Sequence, residues 1–232
     1  MKSSRPAQRS PETPAIGADF SLVLGGPLYQ LFLRTRLARP PLQLLHRRML
    51  LIPALAWLPL LLLTALEGHA LAGVGLPFLH DIETYTRFLV ALPLMILAEP
   101  VVHSWTREIV LQFHERGSLP AEAIPRFQAA VDSATRWRNS TATELVLLAF
   151  VFVLGPGLWQ YGMALHTETW YAVAKDGRAD LTGAGWRLVH VRVPIFQFLL
   201  LRWWFRLAIW WRFLWQVSRL PLDVRAAHPD RS

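Results

Sequence analysis

Cysteine is absent from the chain, which removes disulfide frameworks, thiol nucleophiles and thiolate-bound metals together. Lysine is almost absent. Lys2 and Lys175 are the only two, so a net charge of +8 rests on arginine. No HExxH, GxSxG, phosphate-binding glycine loop or dinucleotide GxGxxG occurs. No catalytic residue, metal or cofactor is therefore expected, and an enzyme is not the expected class. The opening MKSSRPAQRSPETPA lacks the apolar stretch of a cleaved signal peptide, so insertion into a membrane would be driven by the first apolar helix.

Apolar and aromatic residues are plentiful instead. The chain of 232 residues is 53% hydrophobic and carries eleven tryptophans, with a mean hydropathy of +0.29. On a soluble protein this arginine excess would suggest nucleic acid. Here the arginines cluster beside apolar runs, which points to a lipid bilayer as the partner and to no nucleic acid. Residues 193–219 concentrate both signals, with Arg202, Arg206, Arg212 and Arg219 set among five tryptophans. At 100° per residue the arginines project to one side of a helix and the tryptophans to the other. Such a helix fits a membrane if the arginine side meets protein or headgroups.

The expected class is an all-α membrane protein with about four transmembrane helices and an N-terminal amphipathic helix. Residues 1–16 are polar and proline-rich and read as a disordered tail. Residues 17–48 read as an interfacial segment, with a helix following Gly25-Gly26-Pro27 that either lies on the membrane surface or packs under the bundle. Residues 49–219 would hold the four spans, and residues 220–232 a polar tail. The spans are read at 49–66, kinked at Pro53 and Pro59; at 88–102, interrupted by Glu99 and Pro100, within a helical pattern that begins near Thr84 and runs on past Trp105; at 145–164; and from 189 or 193 onward. A helix over 125–138 is expected to feed the third span. Residues 165–187 read as a loop of mixed charge.

Arginine is dense before the first span and between the second and third, and sparse or diluted by acids elsewhere. That alternation places both termini in the cytoplasm of a cell with the protein in its inner membrane. The alternative for the fourth helix is to lie in the interface.

Glu99, His103 and Arg107 recur every four residues and share one helix face. Counting ~1.5 Å per residue from Phe88 and Val193 puts Glu99 and Arg202 at matching mid-bilayer depth. A lone charge there is costly, so Glu99 is expected to meet Arg202 or Arg206, with His103 one turn away. The candidate polar network is thus Glu99, His103, Arg202 and Arg206, as structural glue or as a proton or ion relay. His80, Asp81 and Glu83 could ligate a divalent cation, and His103 with His114 offers a second candidate cluster; both signals are weak. His166-Thr167-Glu168 superficially matches the HxE of zinc deaminases, whose cysteine half is impossible here. His228-Pro229-Asp230 spells the co-chaperone J-domain tripeptide, which works between two helices and has only two residues after it here.

The stretch FQFLLLRWWFRLAIWWRFLWQVSRLPLDVRAAHPDRS resembles a family of uncharacterised bacterial multi-pass membrane proteins. In that family similar tryptophan–arginine helices lead into an HPDR motif. FSLVLGGPLYQL, AWLPLLLLTALEG and RFLVALPLMILAE resemble it as well. The resemblance implies fold and setting but no activity. Members continue past HPDR with a glycine-rich segment and further helices, so it implies that this chain, which stops at Ser232, is a truncated form. The functional expectation is a non-enzymatic scaffold or subunit of a membrane assembly, with a homo-oligomer or membrane-protein partner. The alternatives are a transporter or channel component using Glu99, His103 and Arg202, and an enzyme acting on a lipid-borne substrate.

Overall fold

The computed structural model describes residues 20–37, 39, 44–115, 120–162, 169–175 and 178–221. The expected tail at 1–16, nearly all of that at 220–232, His166-Thr167-Glu168 and His228-Pro229-Asp230 lie outside them. The described chain is predominantly helical, as the all-α reading requires.

Helix α1 (Pro27–Arg34) starts where proline can occupy a first turn whose N–H would be unused. Its N-terminus is docked to the bundle: Gly26 N–H donates to Asn139 Oδ1 at 3.2 Å and Leu28 N–H to Glu144 Oε2 at 3.0 Å. Its remaining side chains are half-buried or exposed. Helix α2 (Leu45–Leu66) runs through Pro53 and Pro59. Arg48, Ala56, Leu60 and Thr64 are buried, while Leu50, Leu55, Leu58 and Leu62 are exposed. Apolar residues on both faces suit a helix between protein and lipid.

After a 3₁₀ turn (Phe78–His80), helix α3 (Ile82–Tyr85), a π-helical stretch (Thr86–Ala91) and helix α4 (Leu92–Glu115) follow without a break. Pro100 stays inside the helix rather than ending it. Helix α5 (Ile124–Arg138) is separated by one turn from α6 (Thr141–Gly162). The expected loop before the last helix instead contains an antiparallel hairpin, β1 (Ala172–Lys175) and β2 (Arg178–Leu181), pairing Ala172 with Leu181. Helix α7 (Gly183–Arg187), a second π-helical stretch (Leu188–Arg192) and α8 (Val193–Ser218) then form another unbroken helix.

Among the described residues three helices are long and apolar enough to cross a membrane: Leu45–Leu66, Ile82–Phe113 and Gly183–Ser218. The expectation of four differs at α6, whose described side chains are apolar over Thr141–Val153 and whose backbone stays helical to Gly162. α2 packs on α4, and both α5 and α6 pack on α8.

Two apolar cores lie at opposite ends of these helices. One gathers Phe78, Phe88, Trp170, Leu188 and Val193 around the upper turns of α2. The other gathers Phe20, Val110, Phe127, Ile209 and Phe213 from the N-terminal segment, α4, α5 and α8. At the first core Thr182 Oγ1 caps α7 by accepting from Gly185 N–H at 3.0 Å. A Cβ on Gly185 would lie 1.9 Å from the Tyr171 carbonyl oxygen, a backbone atom that cannot step aside. Gly185→Ala is expected to cost more than the usual 1–3 kcal/mol of overpacking, about 3 kcal/mol or more. Its folded yield in detergent, measured beside Gly157→Ala where a Cβ meets nothing, checks this; equal yields would contradict it.

Candidate functional site

Between the two cores lies a layer of buried charge. Glu99 on α4 accepts from Arg48 Nη1 of α2 at 2.5 Å and from Arg206 Nη1 of α8 at 3.3 Å. Glu144, on the first turn of α6, accepts from Arg202 Nε of α8 at 3.0 Å. All five side chains are at most 10% exposed. The layer therefore ties α2, α4, α6 and α8 together, with three guanidiniums against two carboxylates.

The N-terminal segment reaches the same layer. Gly25 and Gly26 both take positive φ, and a Cβ on Gly26 would lie 2.9 Å from Glu144 Oε1. Without side chains there, the Gly25 carbonyl comes within 3.4 Å of Arg202 Nη2. The N-terminal end of α1 also faces the Glu144 carboxylate, a favourable contact with the helix dipole. Phe32 of α1 covers the Arg48 guanidinium at 5.8 Å. Burial raises the Tyr29 hydroxyl pKa, with Arg48 opposing and Glu99 reinforcing, so α1 sits close over the layer. Arg48 Nε and Nη2 are buried without an acceptor among the described residues.

The depth differs from that expected. The expected depth counts from Phe88 and Val193, whereas the helices themselves begin at Ile82 and Gly183. Glu99 is then about 25 Å from the start of its helix and Arg202 about 28 Å. A hydrocarbon core is about 30 Å thick. Through their ion pairs the charges are level with Arg48 and Glu144, in the opening turns of α2 and α6. They therefore lie at the end of the apolar run of α2 rather than midway along it.

The expected network is brought together only in part. Glu99 does meet Arg206. Arg202 turns instead to Glu144, and His103 leaves the network: its Nδ1 lies 2.8 Å from Ser21 Oγ. That hydroxyl oxygen already accepts from Val23 and Leu24 N–H, so its hydrogen is left to point at the imidazole. Arg138 donates to the Ser21 carbonyl, and burial lowers its pKa from the ordinary arginine value. Arg48 and Glu144 had no part in the sequence reading of the site. The available signal was that Glu144 is the one acid in the apolar run of α6.

Two of the three candidate cation ligands, Asp81 and Glu83, are otherwise engaged. Asp81 caps α3 through Thr84 N–H at 3.2 Å, accepts from Thr84 Oγ1 at 2.6 Å and takes the Trp170 indole N–H at 2.9 Å. Glu83 pairs with Arg87 one turn on. Among the described residues no group of three His, Asp or Glu side chains is placed to hold a metal. The His114 side chain lies outside the described residues.

Fold and charged layer together define an all-α bundle whose long helices are compatible with membrane insertion. Compared with known proteins, the chain matches no family model, no curated protein and no solved structure.

Proposed function

We propose that the protein is a multi-pass integral membrane protein that serves as a non-enzymatic scaffold or as a subunit of a larger membrane assembly. In this reading α6 is the fourth span, and the arginine-rich end, with both termini, faces the cytoplasm across a bacterial inner membrane. The resemblance to uncharacterised multi-pass proteins with an HPDR motif belongs to the same proposal. The observation that carries it is the pairing within the charged layer. Glu99 and Glu144 are each held by arginine from a different helix, so the polar groups inside the bundle serve its own cohesion. A path for a transported ion through Glu99, His103 and Arg202 is less favoured, because these three side chains have separate partners.

Purification in a mild detergent, followed by native mass spectrometry, is expected to return a homo-oligomer or a stoichiometric membrane-protein partner. A clean monomer with no partner, together with ion flux in proteoliposomes that Glu99→Gln abolishes, would replace the scaffold by the transporter.

A further inference from the structure

At the arginine-rich end α5 and α8 run antiparallel, with Trp137 against Phe205 and Phe127 against Phe213. They leave a groove of about 140 Å³ floored by Ile209 and Phe213. Its two ends differ in chemistry. Phe205 and Trp137 close the end next to the charged layer, since Phe205 adjoins Arg206 and Trp137 lies one turn before α6. Ser133 and Gln216 line the groove farther from the bundle centre, bringing a hydroxyl and an amide. Arg212 lies along it with its guanidinium over the Trp137 ring, 5.5 Å from the centroid. Arg212 is exposed, and none of the four ion pairs among the described residues includes it.

Position decides the chemistry of the occupant. Arg206 shares Glu99 with Arg48, which lies in the first turn of the 22-residue apolar helix α2, so this level of the bundle is where that span ends. The residues of α8 beyond it are therefore level with headgroups, the depth at which tryptophan is enriched. A basic groove between helices on that side suits an anionic headgroup. Arg136, beside Trp137 on α5, and Arg219 after α8 add positive charge at this end, against Asp132 on α5.

We propose that this groove binds an anionic phospholipid. Its phosphate rests on Arg212, with Ser133 and Gln216 as further donors, and its acyl chain leaves past Phe205 and Trp137 into the hydrocarbon. The cation on an indole face provides the attraction, the hydroxyl and amide orient the phosphate, and the apolar floor accommodates the glycerol backbone. This inference rests on the membrane reading and is independent of whether the protein is a scaffold.

The test is a competition. Protein in neutral detergent is given equal amounts of phosphatidylglycerol and phosphatidylcholine, and bound lipid is counted by native mass spectrometry. Phosphatidylglycerol is expected to be retained about fivefold over phosphatidylcholine, the contribution of one arginine at an anionic surface. Arg212→Gln, at an exposed position that the fold does not need, is expected to bring the ratio close to parity. Ser133→Trp, which fills the groove, is expected to lower retention of both lipids. Equal retention by the unaltered protein overturns the proposal, as does a preference that survives Arg212→Gln. A second protein chain covering the groove, with no phosphatidylglycerol retained, overturns it as well.

Discussion

Glu99→Leu is expected to reduce folded protein more than any other single substitution in the charged layer. It removes the acceptor of Arg48 and Arg206 at once, leaving three buried guanidiniums around one carboxylate. Breaking a buried pair by deleting one partner costs about 3–5 kcal/mol, because the surviving charge stays without compensation. Near the edge of the hydrocarbon an arginine can reach for headgroups, which moderates the loss for Arg206. Arg48 has less freedom: it is 1% exposed and lies beneath Phe32. Glu99→Gln should fall between, since the amide oxygen still accepts from a guanidinium. Combining Glu99→Leu with Arg48→Leu should cost less than the sum of the two single changes. Thermal unfolding in detergent, followed by tryptophan fluorescence, gives all four corners of that cycle. Strict additivity would mean that the two side chains share no bond.

The second large effect is expected at the opposite end. Trp170 is fully buried between the Phe78 edge, 4.9 Å away, and Tyr171, with its indole N–H on Asp81. Its backbone also joins the neighbouring segments, N–H to the Leu76 carbonyl at 3.0 Å and carbonyl to Thr182 Oγ1 at 2.9 Å. Trp170→Ala empties the centre of this core and should cost about 3–5 kcal/mol. Trp170→Phe keeps most of the ring contact and removes one donor from the buried Asp81, a loss of about 1–3 kcal/mol. The ordering Ala worse than Phe, read as folded yield after size-exclusion chromatography, is the result to expect. If phenylalanine were as damaging as alanine, the hydrogen bond rather than the packing would hold this end.

How far these sites were legible in the sequence depends on what kind of signal each residue gives. The long helices are written in apolar length, which composition displays directly, and α2, α4 and α8 emerge near their expected positions. The end of α2 at Leu66 and the start of the second long helix, near Thr84, are legible too, whereas the start of the last helix comes earlier than expected, at Gly183. Ile82 to Arg87 and Gly183 to Arg192 are too polar for a hydropathy window, and they join the helices through Asp81 and Thr182 caps and π-helical turns. It is the pairing with Arg48 and Glu144, in the opening turns of α2 and α6, that sets the level of Glu99 and Arg202. Periodicity placed Arg202 and Arg206 correctly on a protein-facing side, whereas Arg212 and Arg219 on the same projection are exposed. The face a helix buries changes once α5 replaces α6 as its neighbour. Arg48 and Glu144 sit at the starts of apolar runs, where charges usually report orientation, so nothing local marked them as inward-facing. The hairpin has strands of four residues, AVAK and RADL, too short for an alternating pattern to stand out.

The two apolar cores are strung on the same two continuous helices, 82–115 and 183–218, and three ion pairs form a single layer between them. Each core is spread over many side chains, so its cohesion fails gradually as contacts are lost. The layer between them fails in steps, because each pair is intact or broken and neighbouring pairs share a carboxylate. Opening free energy is then unevenly distributed along the helices, with two cooperative units meeting at a brittle seam. A substitution at that seam would loosen α2 and α6 from the continuous helices α4 and α8 at this level, while the two ends stay joined through those helices.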